Sequence, residues 1–260
     1  MSNFVAFQMW GPHRQSIIDE HLFYVEQAKK RLLSQFSNIE TEAKEASDSW
    51  LQQNSRYFNP DKHDVDAFYE AAFDAGSNFY QLLSDMQDMT RLSVVAGMFH
   101  EWDKKLRDWL VHEIQHWHRG DTTTKKVWLV DFGKIIDLLE QLGWKIRAQS
   151  YFPTLDALRL VVNVYKHGPG NSLEDLKQAY PEYIHDPLGS TQGISSDMDY
   201  SDYTDLKVSD DQLESFSEAI AGFWRDVPDN VLASQISDLP DWLKKAISTD
   251  VVAKAQTEKK

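Results

Sequence analysis

The sequence lacks cysteine entirely and is poor in basic residues. With no cysteine among 260 residues, disulfide bonds and thiolate metal sites are excluded, which suits a reducing compartment. Lys and Arg number 27 against 41 Asp and Glu, and the formal net charge is −14. Since a protein that coats nucleic acid needs many cations to displace counterions, this balance excludes a broad nucleic-acid-coating surface and leaves only a local one.

Long apolar runs are missing as well. No run of about 18 apolar residues occurs, and the opening MSNFVAFQMWGPHRQ has neither the basic nor the apolar region of a signal peptide. We therefore expect a cytoplasmic protein that has no membrane partner. What the chain does contain is 42% hydrophobic and 12% aromatic residues, enough to build a proper core.

Apolar residues spaced three and four apart predict an all-α fold, because this spacing places them on one face of a helix. The first such seam predicts one helix of about forty residues. The second follows an Asn59-Pro60 break and predicts a helix that folds back to form a long antiparallel hairpin. The four seams run from Ile18 to Trp50, from Phe68 to Met89, from Val95 to Trp117 and from Trp128 to Ile146.

Shorter helices and one loop follow. A fifth helix is predicted from Pro153 to Gly168 and a sixth from Ser172 to Ala179, and a capping box at Ser209 and Gln212 begins another. The predicted fold is a helical hairpin and a helical bundle with a C-terminal helical extension. Its parts are a long N-terminal hairpin helix at 1–60, the bundle core at 61–180, an acidic loop at 181–208, C-terminal helices at 209–250 and a tail at 251–260.

The stretch VVNVYKHGPG ends the fifth helix and carries the first candidate site. On a helical projection from Leu155, the apolar residues of this helix fall between about 240° and 340°. Its polar residues fall between about 20° and 120°, and they are Arg159, Asn163, Lys166 and His167. Such a stripe suits phosphate binding, with the histidine as a general acid or base. Lys and His are also favoured in the last turn of any helix, so this cluster has a purely structural alternative.

The sequence His112-Glu113-Ile-Gln-His116 matches a pattern in which two histidines bind zinc and the glutamate activates water. A third ligand is needed, and Glu140 on the next helix is the open choice. On a helical projection from Val95, however, Glu113 falls on the apolar seam of its own helix. A zinc hydrolase that uses His112, His116 and Glu140 is therefore the second alternative.

The segment Arg107-Asp108-x-x-x-His112 is a further candidate, with an arginine five residues before a histidine. A long helix produces such a spacing often, and a solvated arginine with an acidic neighbour one turn away explains it equally well. It remains a secondary candidate site.

A helical bundle whose polar stripe ends in N-x-x-x-H resembles the HEPN superfamily of all-α proteins, many of which are metal-independent ribonucleases of toxin–antitoxin and phage-defence systems. Their motif is R-x(4–6)-H, and VNVYKHG is similar to that helix with Val162 in the arginine position. Two alternatives follow: Arg159 stands in for the missing guanidinium, or this copy of the motif is inactive. By its letters, the segment from Arg107 to His112 fits the motif better, although it lies inside a long helix.

The resemblance implies a metal-independent endoribonuclease, or a toxin component of a bacterial defence system, that needs no cofactor. Arg159 and Lys166 would hold the RNA phosphate, and His167 would move the proton of the 2′-hydroxyl. Asn163 would orient the substrate or the imidazole. The resemblance also implies a homodimer and an antitoxin or defence-system protein as partner. The first alternative is a non-catalytic helical protein that acts by interaction or regulation.

Overall fold

The computed structural model describes residues 4–185, 201–236 and 238–257, and it confirms the all-α fold. Apart from a two-stranded sheet, the regular structure of these residues is helical. No helix in this part of the chain is both long and apolar enough to cross a membrane. The helices are α1 (Gly11–Arg31), α2 (Ile39–Asn54), α3 (Val65–Trp117), α4 (Asp121–Leu129), α5 (Phe132–Gln141), α6 (Phe152–His167), α7 (Asn171–Ala179), α8 (Asp210–Asp226) and α9 (Asp241–Thr257).

Helix α2 and the first part of α3 form the predicted antiparallel hairpin. Close to the connection, the rings of Trp50 and Phe68 lie 5.1 Å apart between centroids. Further along, a Cβ added to Gly76 would lie 2.9 Å from the carbonyl oxygen of Ala43. From the first contact to the second, the residue number falls along α2 and rises along α3, so the two helices are antiparallel. Glycine is needed at position 76 because the two backbones approach closely there.

The helix boundaries differ from the predicted ones in three places. The predicted first helix is two helices, because the chain leaves α1 at Arg31 and makes a 3-10 turn over Leu33–Phe36 before α2. The predicted second and third helices are one helix of 53 residues, α3, since no proline or glycine stands between Met89 and Val95 to end it. The predicted fourth helix is split into α4 and α5 at Asp131, which caps α5 by accepting from the backbone N–H of Lys134.

The chain divides into two compact units. One contains the residues up to Tyr24 and those from Val95 onward, and the other contains Val25–Val94. Helices α1 and α3 contribute to both units. The division therefore does not fall at 60/61, where the sequence places the end of the hairpin helix.

A small sheet that the sequence analysis did not predict belongs to the larger unit. Strand β1 (Val5–Gln8) pairs antiparallel with β2 (Asn230–Leu232). Side chains of α3 bind the backbone of Gln8 on both sides of its Cα. The Trp109 indole N–H donates to the carbonyl of Gln8 at 3.0 Å, and the N–H of Gln8 donates to the Glu113 carboxylate at 2.7 Å. Strands this short carry too few residues to show an alternating pattern.

The core of the larger unit is aromatic. Trp102 on α3 lies 5.1 Å from the ring of Phe132 and 5.1 Å from the ring of Phe223 on α8. Helix α8 begins with the predicted capping box, in which Ser209 accepts from the backbone of Gln212 at 3.1 Å and the amide of Gln212 accepts in return at 2.8 Å. This cap sets the start of α8, and the helix then presents Phe223 to Trp102.

Helix α9 packs against α4, and one of its carboxylates, which we call the Asp250 clasp, binds the start of α4. Asp250 accepts from the backbone N–H groups of Thr122 and Thr123, each at 2.9 Å, and from the Thr123 hydroxyl at 2.7 Å. A Cβ at Gly120 would overlap this carboxylate, so glycine leaves the space that the clasp needs. The clasp satisfies backbone donors at the start of α4 that have no partner within the helix.

The structure describes part of each of two predicted segments near the C-terminus. The predicted tail at 251–260 is helical as far as Thr257, because α9 continues through it. Of the predicted loop at 181–208, residues 186–200 lie outside the described residues. On either side of them, Ile184 and Leu206 form an antiparallel bridge, so the described ends of the loop are joined.

Candidate functional site

Helix α6 is amphipathic as the sequence predicts. Pro153 stands in its first turn, and Gly168 ends it with a positive φ of 70°, a conformation that glycine adopts readily. The residues of its apolar face are buried, namely Leu155, Leu158, Val161 and Val162. Tyr165, which the projection groups with this face, is exposed instead. The polar stripe is therefore presented at the surface, as the first candidate site requires.

Three of the four stripe residues line one cleft of about 820 Å³, which we call the α6 cleft. Arg159, Asn163 and Lys166 form its α6 wall. The opposite walls come from α3 and from the chain around α5. Their polar residues are His100, Asp103, Arg107, Asp131 and Arg147.

Most charges in the α6 cleft are paired. Nε and Nη2 of Arg159 donate to one oxygen of Asp156 at 2.9 and 2.7 Å, and Tyr180 donates to the other oxygen at 3.3 Å. Burial raises the pKa of Tyr180, and the charge of Asp156 and the hydrogen bond to it raise that pKa further. Arg147 pairs with Asp137 at 2.7 Å. Lys166, by contrast, is exposed and has no ionic partner among the described residues.

The fourth stripe residue, His167, does not line the α6 cleft, and its side chain is exposed elsewhere on the surface. The structure therefore does not bring together the complete predicted set. The imidazole of the cleft belongs to His100 on α3, which is exposed and which sequence reasoning missed. A signal was present, because His100, Asp103 and Arg107 repeat at three and four residues and so share one face of a helix.

The secondary candidate is separated by the geometry of α3. Arg107 is buried and takes a structural part, with Nε donating to Asp103 at 2.9 Å and Nη1 donating to the carbonyls of Val127 and Val130 at 2.6 and 2.9 Å. Asp108 and His112 line a different cavity. Consecutive helical residues point about 100° apart, so Arg107 and Asp108 face different surfaces. The predicted set of Arg107, Asp108 and His112 is therefore not one site.

The zinc pattern is explained by the strand rather than by a metal. Glu113 is buried and accepts the N–H of Gln8, and its Oε2 lies 3.7 Å from Nδ1 of His116. Glu140, the proposed third ligand, accepts the backbone N–H of Arg147 at 2.8 Å. Among the residues that the structure describes, no group of three or more His, Cys, Asp and Glu side chains is placed to hold a metal ion. The structure thus does not assemble the ligand set of the zinc hydrolase alternative.

Asp108, His112, Glu113 and His116 instead line a second cavity of the larger unit, of about 590 Å³, which we call the Glu113 cavity. The start of α1 closes its other side. The two segments that resemble the same R-x(4–6)-H motif in the sequence thus lead to two chemically different cavities in the structure. Comparison of the chain with protein-family models, with curated proteins and with solved structures gives no match.

Proposed function

We propose that the α6 cleft binds the phosphodiester backbone of RNA and that the chain is a metal-independent endoribonuclease. The observation that carries this proposal is the meeting of two cations, an amide and an imidazole in one cleft, on Arg159, Lys166, Asn163 and His100. Cleavage of RNA at its 2′-hydroxyl needs fixed positive charge beside the phosphate and a side chain that moves a proton, most often histidine. The toxin role that the HEPN resemblance implies would follow from this activity.

In the proposed reaction, His100 accepts the proton of the 2′-hydroxyl, and the 2′ oxygen attacks the neighbouring phosphorus. The bond between phosphorus and the 5′ oxygen breaks, and this oxygen takes a proton from solvent water. The products are a 2′,3′-cyclic phosphate and a 5′-hydroxyl, and His100 returns its proton to solvent. Lys166 and Arg159 stabilise the negative charge that develops on the phosphate oxygens, and Asn163 donates its amide to orient them.

The pairing of charges in the cleft supports a binding site for one phosphate rather than for a long polyanion. Arg159 gives two of its nitrogens to Asp156, and no described residue accepts from its third nitrogen, Nη1. Lys166 adds an ammonium group that lies outside these ion pairs. Since the whole chain carries a charge of −14, RNA is attracted at this cleft and repelled over most of the remaining surface.

The test is cleavage of a labelled single-stranded RNA in buffer that contains EDTA. His100→Ala is expected to abolish cleavage, because general acid–base catalysis contributes roughly 100- to 10,000-fold. The matched control is His167→Ala, an exposed histidine at the end of α6 that does not line the cleft, and it is expected to retain full activity. A DNA strand of the same sequence should stay intact because it has no 2′-hydroxyl.

Two results would remove the proposal. One is a wild-type protein that neither binds nor cuts RNA over a wide range of sequences. The other is loss of cleavage in His167→Ala with normal cleavage in His100→Ala, which would return the site to the residue that the sequence indicated.

A second candidate function is association through a helix, and it rests on a separate observation in the smaller unit. Four large apolar side chains of α3 are exposed at spacings of three and four residues, and we call them the α3 seam. They are Phe79, Leu82, Met86 and Met89, with exposed fractions of 38%, 68%, 53% and 59%. They lie within about 80° of one another around the helix. A contiguous apolar surface of this kind is typical of a protein interaction site.

We propose that the occupant of the α3 seam is a second copy of the chain. The three-and-four spacing is that of a coiled coil, and two identical seams are complementary across a two-fold axis. Sedimentation equilibrium should show a dimer that Leu82→Glu with Met86→Glu converts to a monomer. Phe73→Glu is the control, because Phe73 is 70% exposed on a different face of α3.

A wild-type protein that is monomeric at all concentrations would reject the homodimer at the seam. Co-purification of a different protein that depends on the seam would point to a heterologous partner, such as the antitoxin or defence-system protein that the resemblance implies.

A further inference from the structure

The Glu113 cavity has the size and the side chains of a ligand site, and the proposed ribonuclease activity does not use it. Its volume of about 590 Å³ is within the range of small-molecule sites. One wall is α3 between Lys105 and His116, and the facing wall is the start of α1 from Trp10 to Glu20. None of the residues that line the Glu113 cavity lines the α6 cleft, so ligand binding at the two places can be measured separately.

The cavity carries more negative than positive charge. Three carboxylates line it, on Glu20, Asp108 and Glu113, against one ammonium group, on Lys105. Lys105 is committed to Glu20, to which it forms an ion pair and a hydrogen bond. Asp108 is exposed and has no bonding partner among the described residues. Two carboxylates therefore face the cavity without a Lys or Arg side chain to balance them.

Glu113 is the more unusual of these two carboxylates, because its residue is only 5% exposed. One oxygen, Oε2, takes both of its polar contacts, the N–H of Gln8 at 2.7 Å and the imidazole of His116 at 3.7 Å. The other oxygen, Oε1, accepts no hydrogen bond from the described residues. A buried carboxylate is costly unless a cation or several donors compensate it, and within this part of the chain Glu113 has only one backbone donor.

Indole and imidazole rings provide much of the remaining lining. The indole of Trp10 at the start of α1 is 66% exposed, which is high for the largest apolar side chain. Trp109 forms part of the floor, and its indole N–H is already used by the carbonyl of Gln8. On α3 the rings of His112 and His116 stand edge to face at 4.8 Å. Indole faces attract organic cations within about 6 Å, most strongly when water is partly excluded.

We propose that the Glu113 cavity binds a small organic cation that carries amine or guanidinium groups on a short apolar chain. The two unbalanced carboxylates, Asp108 and Glu113, would receive the charged groups, and Trp10 would cover the chain and one charge. A bound anion would be repelled by Asp108 and Glu113, and the ammonium group nearby is already paired with a carboxylate. A guanidinium or ammonium group also supplies the N–H donors that Oε1 of Glu113 lacks among the described residues.

Agmatine, a four-carbon chain with an amine at one end and a guanidinium at the other, is the probe. Isothermal titration calorimetry and tryptophan fluorescence should both show saturable binding at pH 7.5. The uncharged analogue 4-hydroxybutylurea should not bind. Trp10→Ala and Asp108→Asn should each weaken agmatine binding about two- to fivefold, as expected for an exposed cation–π contact and an exposed ion pair. Asp19→Asn on α1 is the control, since Asp19 is exposed and lies outside the cavity.

Glu113→Gln tests the buried carboxylate without removing the oxygen that accepts the N–H of Gln8. We expect a loss of at least tenfold in agmatine affinity, with a melting temperature that shows the variant to be folded. If Glu113→Gln does not fold, the double variant Trp10→Ala with Asp108→Asn replaces it, and a loss of about tenfold is expected.

The proposal is overturned if 4-hydroxybutylurea binds as well as agmatine, if inorganic phosphate competes with agmatine, or if neither Glu113→Gln nor the double variant weakens binding.

Discussion

The two halves of α3 carry the same apolar spacing and meet different surroundings. From Val95 onward its apolar side chains are almost fully enclosed, as at Trp102 with 2% exposure. Before that point, Leu82 is 68% exposed and Phe73 is 70% exposed. One continuous helix is thus a core element in the larger unit and presents an apolar surface in the smaller unit.

The difference shows that apolar spacing indicates a helix but does not indicate whether other elements bury its apolar side chains. In the larger unit α3 meets the aromatic side chains of α5 and α8, whereas in the smaller unit α2 covers one flank of α3 and leaves the seam uncovered. A side chain contributes to stability in proportion to the surface that it loses to water. Substitutions in the two halves should therefore differ several-fold in their cost to the free energy of unfolding.

Trp102→Ala should give the largest effect, a loss of about 3–5 kcal/mol in the free energy of unfolding, because it removes one of the largest side chains of the aromatic core. Urea denaturation of the purified protein measures it. Trp102→Phe is the control and should cost less than about 1.5 kcal/mol. It keeps an aromatic ring and removes an indole N–H that has no hydrogen-bond partner among the described residues. A loss below about 1 kcal/mol in Trp102→Ala would contradict the contrast between the two halves.

Asp250→Ala should rank second, with a loss of about 2–3 kcal/mol, because it leaves the first backbone donors of α4 unpaired. Burial raises the pKa of Asp250, but hydrogen bonds from Thr122 and Thr123 outweigh burial and hold that pKa well below its usual range. The Asp250 clasp therefore contributes fully above about pH 4, the unfolded value, and its contribution is lost as the pH falls below it.

Urea denaturation between pH 3 and pH 7 checks this dependence. The wild type should lose stability below about pH 4 more steeply than Asp250→Ala. Thr249→Ala is the control, since its hydroxyl donates to the carbonyl of Lys245 within α9, and it should behave like the wild type. Equal acid sensitivity in Asp250→Ala and the wild type would reject the role given to the clasp.

His21→Gln should give a smaller effect of about 1 kcal/mol, through loss of the contact of its Nε2 with Ser217, which lies 3.0 Å away at the hydroxyl. Burial lowers the pKa of His21, against weaker opposing effects of the hydrogen bond to Ser217 and the charge of Glu218. The folded state therefore favours the neutral ring. The contribution of the neutral ring to the free energy of unfolding should be fully present above about pH 6.5 and should decline as the pH falls below that value.

The measurement is the melting temperature between pH 5 and pH 8. His21→Gln should flatten the decline, and His185→Gln, at an exposed position, should leave it unchanged. A wild-type curve with no slope between pH 5 and pH 6.5 would contradict the effect of burial at His21.

Leu82→Ser should give the smallest effect, within about 0.5 kcal/mol, because its side chain is already exposed in a single chain. The measurement must use dilute protein. At high concentration a dimer formed through the seam adds stability by mass action, so the cost of Leu82→Ser would then increase. A large loss of stability at every protein concentration would mean that the seam is buried within a single chain. The contrast between the two halves of α3 would then be wrong.

Helix ends are predicted correctly where a local sequence signal, such as a proline, a glycine or a capping box, marks them. The proline and glycine that delimit α6, and the capping box of α8, act over three or four residues and were read correctly. The continuity of α3 is not predicted, because the apolar seam changes between Met89 and Val95 although the helix continues. The 3-10 turn between α1 and α2 was missed because no proline or glycine marks it.

The candidate site was predicted only in part. Arg159, Asn163 and Lys166 do share one cleft, since one face of one helix carries them. His100 enters the same cleft from α3, more than fifty residues earlier in the sequence. The Arg107 segment does not form one site. Its arginine makes hydrogen bonds in the core and its other two candidate residues line the second cavity, because neighbouring residues of a helix point to different sides.

The sequence by itself determined an all-helical chain, the amphipathic face of α6 and an acidic character, because periodicity, caps and charge are properties of neighbouring residues. Only the tertiary structure decided which imidazole meets the cations of α6. It also decided that Glu113 binds a strand and that the seam of α3 stays uncovered. These outcomes depend on which faces meet in space, and contacts between distant segments are set by the packing of the whole chain.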